Sequence, residues 1–257
     1  MFEELINKVS VVTGSASGIG RTISIKLAQQ GSIVVGFDKD EKGGKETDKI
    51  IQEAGNKAHF MKVDLANASE IARGFGEIRN QIGAVDILVN SAGVCRPMTF
   101  SMTTIELWDM TIKINLTGTF LCIKEVIDEM AKKGYGKIVN ISSRSGIIGS
   151  KGFSSYSASK FGVIGLTQSV ANEYAKYHVN VNAICPGIVY TPMWEKQMVD
   201  YISLKGYNPD NMQDELVSKI PMNRLQTEED IYNAVLFLVS EMSKNITGQS
   251  LMVTGGY

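Results

Sequence analysis

Short apolar runs alternate with longer amphipathic segments along the whole chain. The runs 8–13, 32–37, 58–63, 85–89, 137–141, 179–184 and 249–253 have strand length and strand composition. Helical patterns fill most of the gaps: one closing near Gln30, then 41–54, one opening near Ser69, 106–132, 161–177 and 228–240. Parallel strands need long crossovers, and helices are the usual ones. The alternation therefore predicts an α/β fold: a doubly wound parallel sheet of about seven strands with helices on both faces. Its strands should be apolar on both sides, as 85–89 is. No Pro/Gly/Ser-rich linker divides the chain, so residues 1–257 are expected to form one domain.

In open sheets of this kind, ligands sit outside the carboxyl ends of the strands. Thr13, Asp38, Asp64, Asn90 and Ser143 all fall at such ends, which makes one shared site the economical reading. After the first strand comes Gly14-Ser15-Ala16-Ser17-Gly18-Ile19-Gly20, and then a helix. Strand, glycine-rich turn and helix N-terminus together make an anion site, because free N–H groups and the helix dipole face the phosphates. Asp38 lies about 20 residues past the glycines, where a carboxylate accepts from an adenine-ribose diol and repels a 2′-phosphate. That argues for NAD over NADP, although Lys39 and Lys42 stand close enough to offset part of the repulsion. A turn or helix-cap role for Asp38 is the plainer alternative. Asp64 would meet the adenine or cap the next helix, and Asn90-Ser91-Ala92-Gly93 is small enough for a flat ring or ribose to lie close.

Tyr156 and Lys160 are four residues apart, hence on one face of a helix if 156–160 is helical. A free phenol titrates near about 10. A neighbouring ammonium would favour the phenolate and lower that value, giving a proton donor and acceptor for an alcohol or carbonyl. Asn115 sits inside a helical pattern where Asn is a poor fit, so a buried side-chain role is one explanation and simple exposure the other.

The remaining features exclude other classes. Net charge is −1, so no basic surface for nucleic acid or anionic lipid is expected. No apolar run is long enough for a bilayer, and Met1-Phe2-Glu3-Glu4-Leu5 lacks the basic start of a signal peptide. Three scattered cysteines (Cys95, Cys122, Cys185) fit a reducing cytoplasm, and two lone histidines form no metal-ligand set. The 190–225 segment is irregular and rich in Trp194, Met198, Tyr201, Tyr207, Met212 and Met222. It reads as a substrate lid, or else as two short helices packing a small core of their own.

Over its full length the chain resembles the short-chain dehydrogenase/reductase family. The residues that carry the resemblance are Thr13 to Gly20, Asp64, Asn90-Ser91-Ala92-Gly93, Asn115, Ser143, Tyr156-Ser157-Ala158-Ser159-Lys160 and Pro186-Gly187. Ser91 departs from the family pattern, which usually has a second Asn there. The resemblance implies that Tyr156 exchanges a proton with the substrate oxygen and that Ser143 hydrogen-bonds that oxygen. Lys160 would tune Tyr156 and bind the nicotinamide ribose, and Asn115 would hold a water in the proton relay. Cofactor contacts would fall on Gly14, Ser17, Gly18, Ile19, Gly20, Asp38, Asp64, Leu65, Asn90, Ala92, Gly93, Tyr156, Lys160, Pro186, Gly187, Val189 and Thr191. A homotetramer is implied as well, with the helix bearing Tyr156 in one interface and the C-terminal strand in another.

Stretches such as Ser143-Arg144-Ser145-Gly146 and Thr247-Gly248-Gln249-Ser250 are similar to polyol dehydrogenases, and Cys185-Pro186-Gly187-Ile188-Val189 to diol dehydrogenases. The expectation is an NAD-dependent dehydrogenase of a polyol, a ketose or a small diol. One alternative is a 3-oxoacyl-[acyl-carrier-protein] reductase. Another is a non-catalytic NAD(H)-binding regulatory protein, against which Ser143, Tyr156 and Lys160 count. Arg144 and Lys151 flank the expected pocket, as solvated charges or as an anion site.

Overall fold

A computed structural model describes residues 2–206, 208 and 211–257; for 196–199, 203 and 205 it describes the backbone only. Tyr207 and the side chain of Met198 therefore lie outside the described residues. The elements run β1 (Val9–Thr13), α1 (Gly18–Gln29), β2 (Ile33–Asp38), α2 (Glu41–Glu53), β3 (Ala58–Lys62), α3 (Ala68–Gln81) and β4 (Ile87–Asn90). Then follow α4 (Ile105–Ile112), a π-helical turn (Lys113–Thr117), α5 (Gly118–Lys133), β5 (Gly136–Ile141), α6 (Ser154–Tyr174) and β6 (Val179–Pro186). The chain closes with α7 (Pro192–Lys205), α8 (Met212–Val217), α9 (Glu228–Val239) and β7 (Ser250–Val253).

The strands form one parallel sheet in the order β3-β2-β1-β4-β5-β6-β7. The order reverses between β1 and β4, and this switch point is where such sheets open a crevice. The expected seven-stranded, doubly wound sheet is the one observed. Ile87, Leu88 and Val89 of β4 have no exposed surface, because helices cover both faces. One core layer packs Phe37, Phe75, Val126 and Met130 under α3, α5 and α6. The rings of Phe37 and Phe75 meet edge to face with centroids 5.1 Å apart. The opposite layer packs Ile23, Leu27, Ile231 and Val235 under α1 and α9.

Three expectations need correction. The single helix expected over 106–132 is two helices joined by the π-helical turn, which contains Asn115. Asp38 does not cap α2; Asp40 does, accepting from Gly43 N. Likewise Asn67, not Asp64, caps α3, and Asp64 Oδ1 accepts from Ala66 N within the preceding turn. The 190–225 segment contains the two helices α7 and α8, and Tyr201, Met212 and Leu216 give them a small core. That core also holds Phe153 and Ile188 and borders Tyr156, so it roofs the end of the sheet.

Candidate active site

The loop between β1 and α1 is pinned before it turns. Gly14 N and Ser15 N both donate to Phe37 O on β2, at 2.8 and 3.3 Å. Gly14 has φ +73°, and a side chain there would press to 2.8 Å from Ala92 Cα, so the crossing of the two loops requires glycine. No side chain caps the N-terminus of α1, whose N-cap residue is Ser17. Its first N–H groups therefore stay available for an anion. Asp38 faces this loop: Oδ2 accepts from Ala16 N at 3.0 Å and Oδ1 from Asp40 N at 2.9 Å. The carboxylate is thus a turn residue as well as the acidic group expected beside a ribose. An uncapped helix start, a glycine-tight loop and a fixed carboxylate at its mouth fit a dinucleotide.

The neighbouring strand ends are tied into the same place. Thr13 Oγ1 accepts from Ser91 N and Ala92 N, both at 3.1 Å. Asn90 Nδ2 donates to Asn140 Oδ1, and Asn140 Nδ2 donates to Thr167 Oγ1 on α6, each at 2.9 Å. This buried amide chain couples β4 and β5 to the helix that carries Tyr156 and Lys160. Asn90 Oδ1 is buried and has no partner among the described residues. Leu65 is a core residue, 8% exposed, packed where a side chain on Gly118 would touch it.

A cleft opens over β4, β5 and β6. Ile19, Ser91, Gly93, Ser143, Tyr156, Lys160, Pro186, Gly187, Val189 and Thr191 line it, as expected from the sequence. Gly14, Ser17, Gly18, Gly20, Asp38, Asp64, Leu65, Asn90, Ala92 and Asn115 do not. The first several of these form the loop floor beside the cleft, and Asn115 lies behind its wall. Cys95, which follows the Asn90 segment, lines the cleft too, and the sequence reading missed Phe153, Ile188, Met193 and Tyr257, which also line it. It also missed Gln226, a buried residue whose Oε1 accepts from Ile188 N at 2.8 Å and so fixes the Pro186-Gly187 bend. No spacing rule reaches Gln226 or Tyr257, since only the fold brings them near.

Tyr156 lies near the start of α6 and shares a hydrogen bond with Ser143. Burial pushes its phenol well above the usual range, and the Ser143 contact pulls back only in part. Lys160 is 4% exposed; its Nζ donates to Ile141 O at 2.8 Å and lies 5.6 Å from the Tyr156 ring centroid. The expected lowering of the Tyr156 pKa by Lys160 is therefore absent. The ammonium points to the sheet carbonyl, and desolvation of the phenolate dominates. Burial lowers the Lys160 pKa to about 8. A lysine titrating lower when folded binds fewer protons than the unfolded chain between about 8 and its ordinary value near 10.5, so its penalty is full below pH 8 and fades as pH rises. Lys160→Met is accordingly expected to raise the thermal midpoint at pH 7 by several degrees, and by less at pH 10. Calorimetry at the two pH values checks this; a lower midpoint for the variant at pH 7 would refute it.

Asn115, 1% exposed, spends its side chain on structure. Oδ1 accepts from Val94 N at 2.8 Å, and Nδ2 donates to Val94 O at 2.9 Å and Ser159 Oγ at 3.0 Å. Ser159 Oγ in turn donates to Tyr156 O at 2.7 Å.

Comparison with known proteins agrees with this geometry. Residues 14–257 match a family described as "Enoyl-(Acyl carrier protein) reductase". The chain is 38% identical over 254 residues to a 3-oxoacyl-[acyl-carrier-protein] reductase of Aquifex aeolicus, covering 98% of each. It is 35% identical over 250 residues to the (2S)-[(R)-hydroxy(phenyl)methyl]succinyl-CoA dehydrogenase subunit BbsD of Thauera aromatica, covering 97% of this chain and 96% of that one. Among solved structures, a variant of actinorhodin polyketide ketoreductase with NADPH superposes with a TM-score of 0.94 at 33% identity, covering 97% of each chain. Levodione reductase superposes with a TM-score of 0.92 at 29% identity, covering 98% of this chain and 97% of that one.

Proposed function

The chain belongs to the short-chain dehydrogenase/reductase family of oxidoreductases, and from that premise we propose that it works with NAD(H) on the carbonyl of a 3-oxoacyl compound, or on the matching secondary alcohol. A bound nicotinamide supplies or accepts the hydride. The phenol of Tyr156 gives its proton to the carbonyl oxygen, or takes one from the alcohol. Ser143 hydrogen-bonds the same oxygen. Lys160, whose Nζ is held by Ile141 O, would bind the nicotinamide ribose. Asn115 acts through Ser159 to position the turn carrying Tyr156.

The observation that carries the substrate class is the cleft wall. Met193 lines it, and Phe153, Ile188, Trp194 and Tyr201 line it in one apolar cluster with Tyr156. Trp194 and Tyr201 pack with centroids 4.8 Å apart, and Phe153 and Tyr201 at 5.8 Å. A sugar alcohol has a hydroxyl on every carbon and would leave most of them unpaired against such walls. An acyl chain would not. The names of the Aquifex and Thauera relatives, one an oxoacyl reductase and the other a CoA-ester dehydrogenase, also favour the acyl reading over the polyol expected from short sequence stretches.

Asp38 supports NAD over NADP. Arg21 does not offset it, because its Nη2 group is held by Ala16 O, Gly43 O and Glu46. Helices α7 and α8 serve as the lid over an acyl chain. The exposed apolar side chains Ile105, Met110, Phe120 and Phe161 on α4, α5 and α6 suit burial by a second copy, in a homotetramer. The three free cysteines suit a cytoplasmic setting. The test is turnover of acetoacetyl thioester, ethyl acetoacetate, sorbitol and 2,3-butanediol with each cofactor. The expected result is reduction of the oxo compounds, with NADH favoured at least about tenfold and Asp38→Ser narrowing that preference. Turnover of polyols alone would reject the acyl reading, and an NADPH preference in the wild type would reject the role given to Asp38.

A further inference from the structure

We infer that Glu228 weakens the hold of the phosphate seat on the dinucleotide and so sets how fast spent cofactor leaves; this rests on the nicotinamide-cofactor reading above. The seat is the uncapped start of α1, against which α9 packs. Glu228 is half-buried and is the first residue of α9, next to its N-cap Thr227. Its Oε2 accepts from Thr22 Oγ1 on α1. Its Oε1 has no hydrogen-bond partner among the described residues, and it lies 3.8 Å from the point where a side chain on Gly18 would begin. The methyl group of Thr191, a residue that lines the cleft, lies 3.7 Å from the same point. A carboxylate oxygen, the cleft rim and the first residue of α1 therefore converge beside the place of the anion.

Structural duty accounts for only half of this carboxylate. The positive end of α9 and the hydroxyl of Thr22 both suit a negative group, and Oε2 serves them. Oε1 is left beside Gly18, at the helix start whose free N–H groups draw the phosphates. Neither cation of α1 is free to cancel it. Arg21 Nη2 is held by Ala16 O, Gly43 O and Glu46, and Lys26 pairs with Glu229 at 3.1 Å. The seat thus binds through N–H groups and the helix dipole against one fixed opposing charge. A dinucleotide must leave after each turnover, and release is the slow step in many enzymes, so a moderated hold serves exchange.

The test titrates the ligand-free protein with NADH and with NADPH, followed by nicotinamide fluorescence. Glu228→Gln keeps an acceptor for Thr22 and removes the charge. It is expected to lower Kd about 3- to 10-fold for each cofactor that binds, since both carry the pyrophosphate, and to slow cofactor dissociation in stopped flow by a similar factor. Glu228→Ala, which also gives up the Thr22 bond, is expected to tighten binding too. The gap should shrink to within about twofold as salt rises from about 0.01 M to about 1 M, where the screening length falls from about 30 Å to about 3 Å. In competition with the cofactor, ADP-ribose should show the gap, and adenosine, which has no phosphate, should not. Equal or weaker binding by Glu228→Gln overturns the inference. So does a gap that salt does not move or that adenosine shares, because packing would then be its cause. If neither cofactor binds the wild type, the inference falls together with the nicotinamide reading; if cofactor binds and the gap alone is missing, only the role of Glu228 falls.

Discussion

Replacing Tyr156 with Phe is expected to lower kcat/KM for carbonyl reduction by about three orders of magnitude, within the range measured for loss of a general acid. The ring stays, so its edge contact with Phe153, centroids 6.2 Å apart, stays too. What disappears is the hydroxyl shared with Ser143 and the proton it offers. Since the phenol titrates well above neutrality, it is fully protonated across the working range, and reduction by the wild type should not fall away between pH 6 and 8 through loss of this group. Steady-state assays, with near-UV circular dichroism as the check on folding, decide the matter. A loss smaller than tenfold in a well-folded variant would remove Tyr156 as the proton donor.

The second large effect is structural. Gly20→Ala would set a methyl group inside contact distance of Gly14 O and only 2.7 Å from the Gly14 carbonyl carbon. Helix propensity favours alanine by about 1 kcal/mol. The clash opposes it and should win, because its partner is backbone pinned by Phe37 O and cannot rotate away. Overpacking of this kind costs about 1–3 kcal/mol or more. A midpoint about 5–10 °C lower and NAD(H) binding weaker by more than tenfold are expected. Thermal unfolding and cofactor titration check both. A variant as stable as the wild type would show that the loop relaxes freely and that its tightness is not what shapes the phosphate site.

The sheet was legible because parallel strands are buried on both faces and so read as apolar runs with polar or small residues at their ends. Thr13, Asp38, Asn90 and Ser143 were found that way, from strand ends alone. The π-helical turn was not legible: one extra residue in a turn barely changes the apolar repeat, although the poor fit of Asn115 to a helix marked the spot. Spacing placed Tyr156 and Lys160 on one face but could not say that Nζ would turn to Ile141 O. The apolar wall of the cleft was out of reach for a related reason. The polyol expectation leaned on short contiguous stretches, whereas Phe153, Ile188, Trp194 and Tyr201 meet only after α6, β6 and α7 have packed. Arg144 was visible as a charge; that it rests on Tyr257 is a property of the folded chain.

The register at the centre of the sheet bears on synthesis. Residues 10–13 pair on one side with 34–37 and on the other with 87–90. As the chain leaves the ribosome, β1, β2 and β3 can zip together early, and the phosphate loop forms with them. The inner edge of β1 then waits for β4, and β4 in turn waits for β5. Until they arrive, a largely apolar edge lies open to any other strand in reach. The proton donor comes later still, on α6. A nascent or truncated chain ending between residues 40 and 85 would therefore hold most of a nucleotide cradle, none of the proton-transfer residues, and the surface most prone to pair with a neighbour.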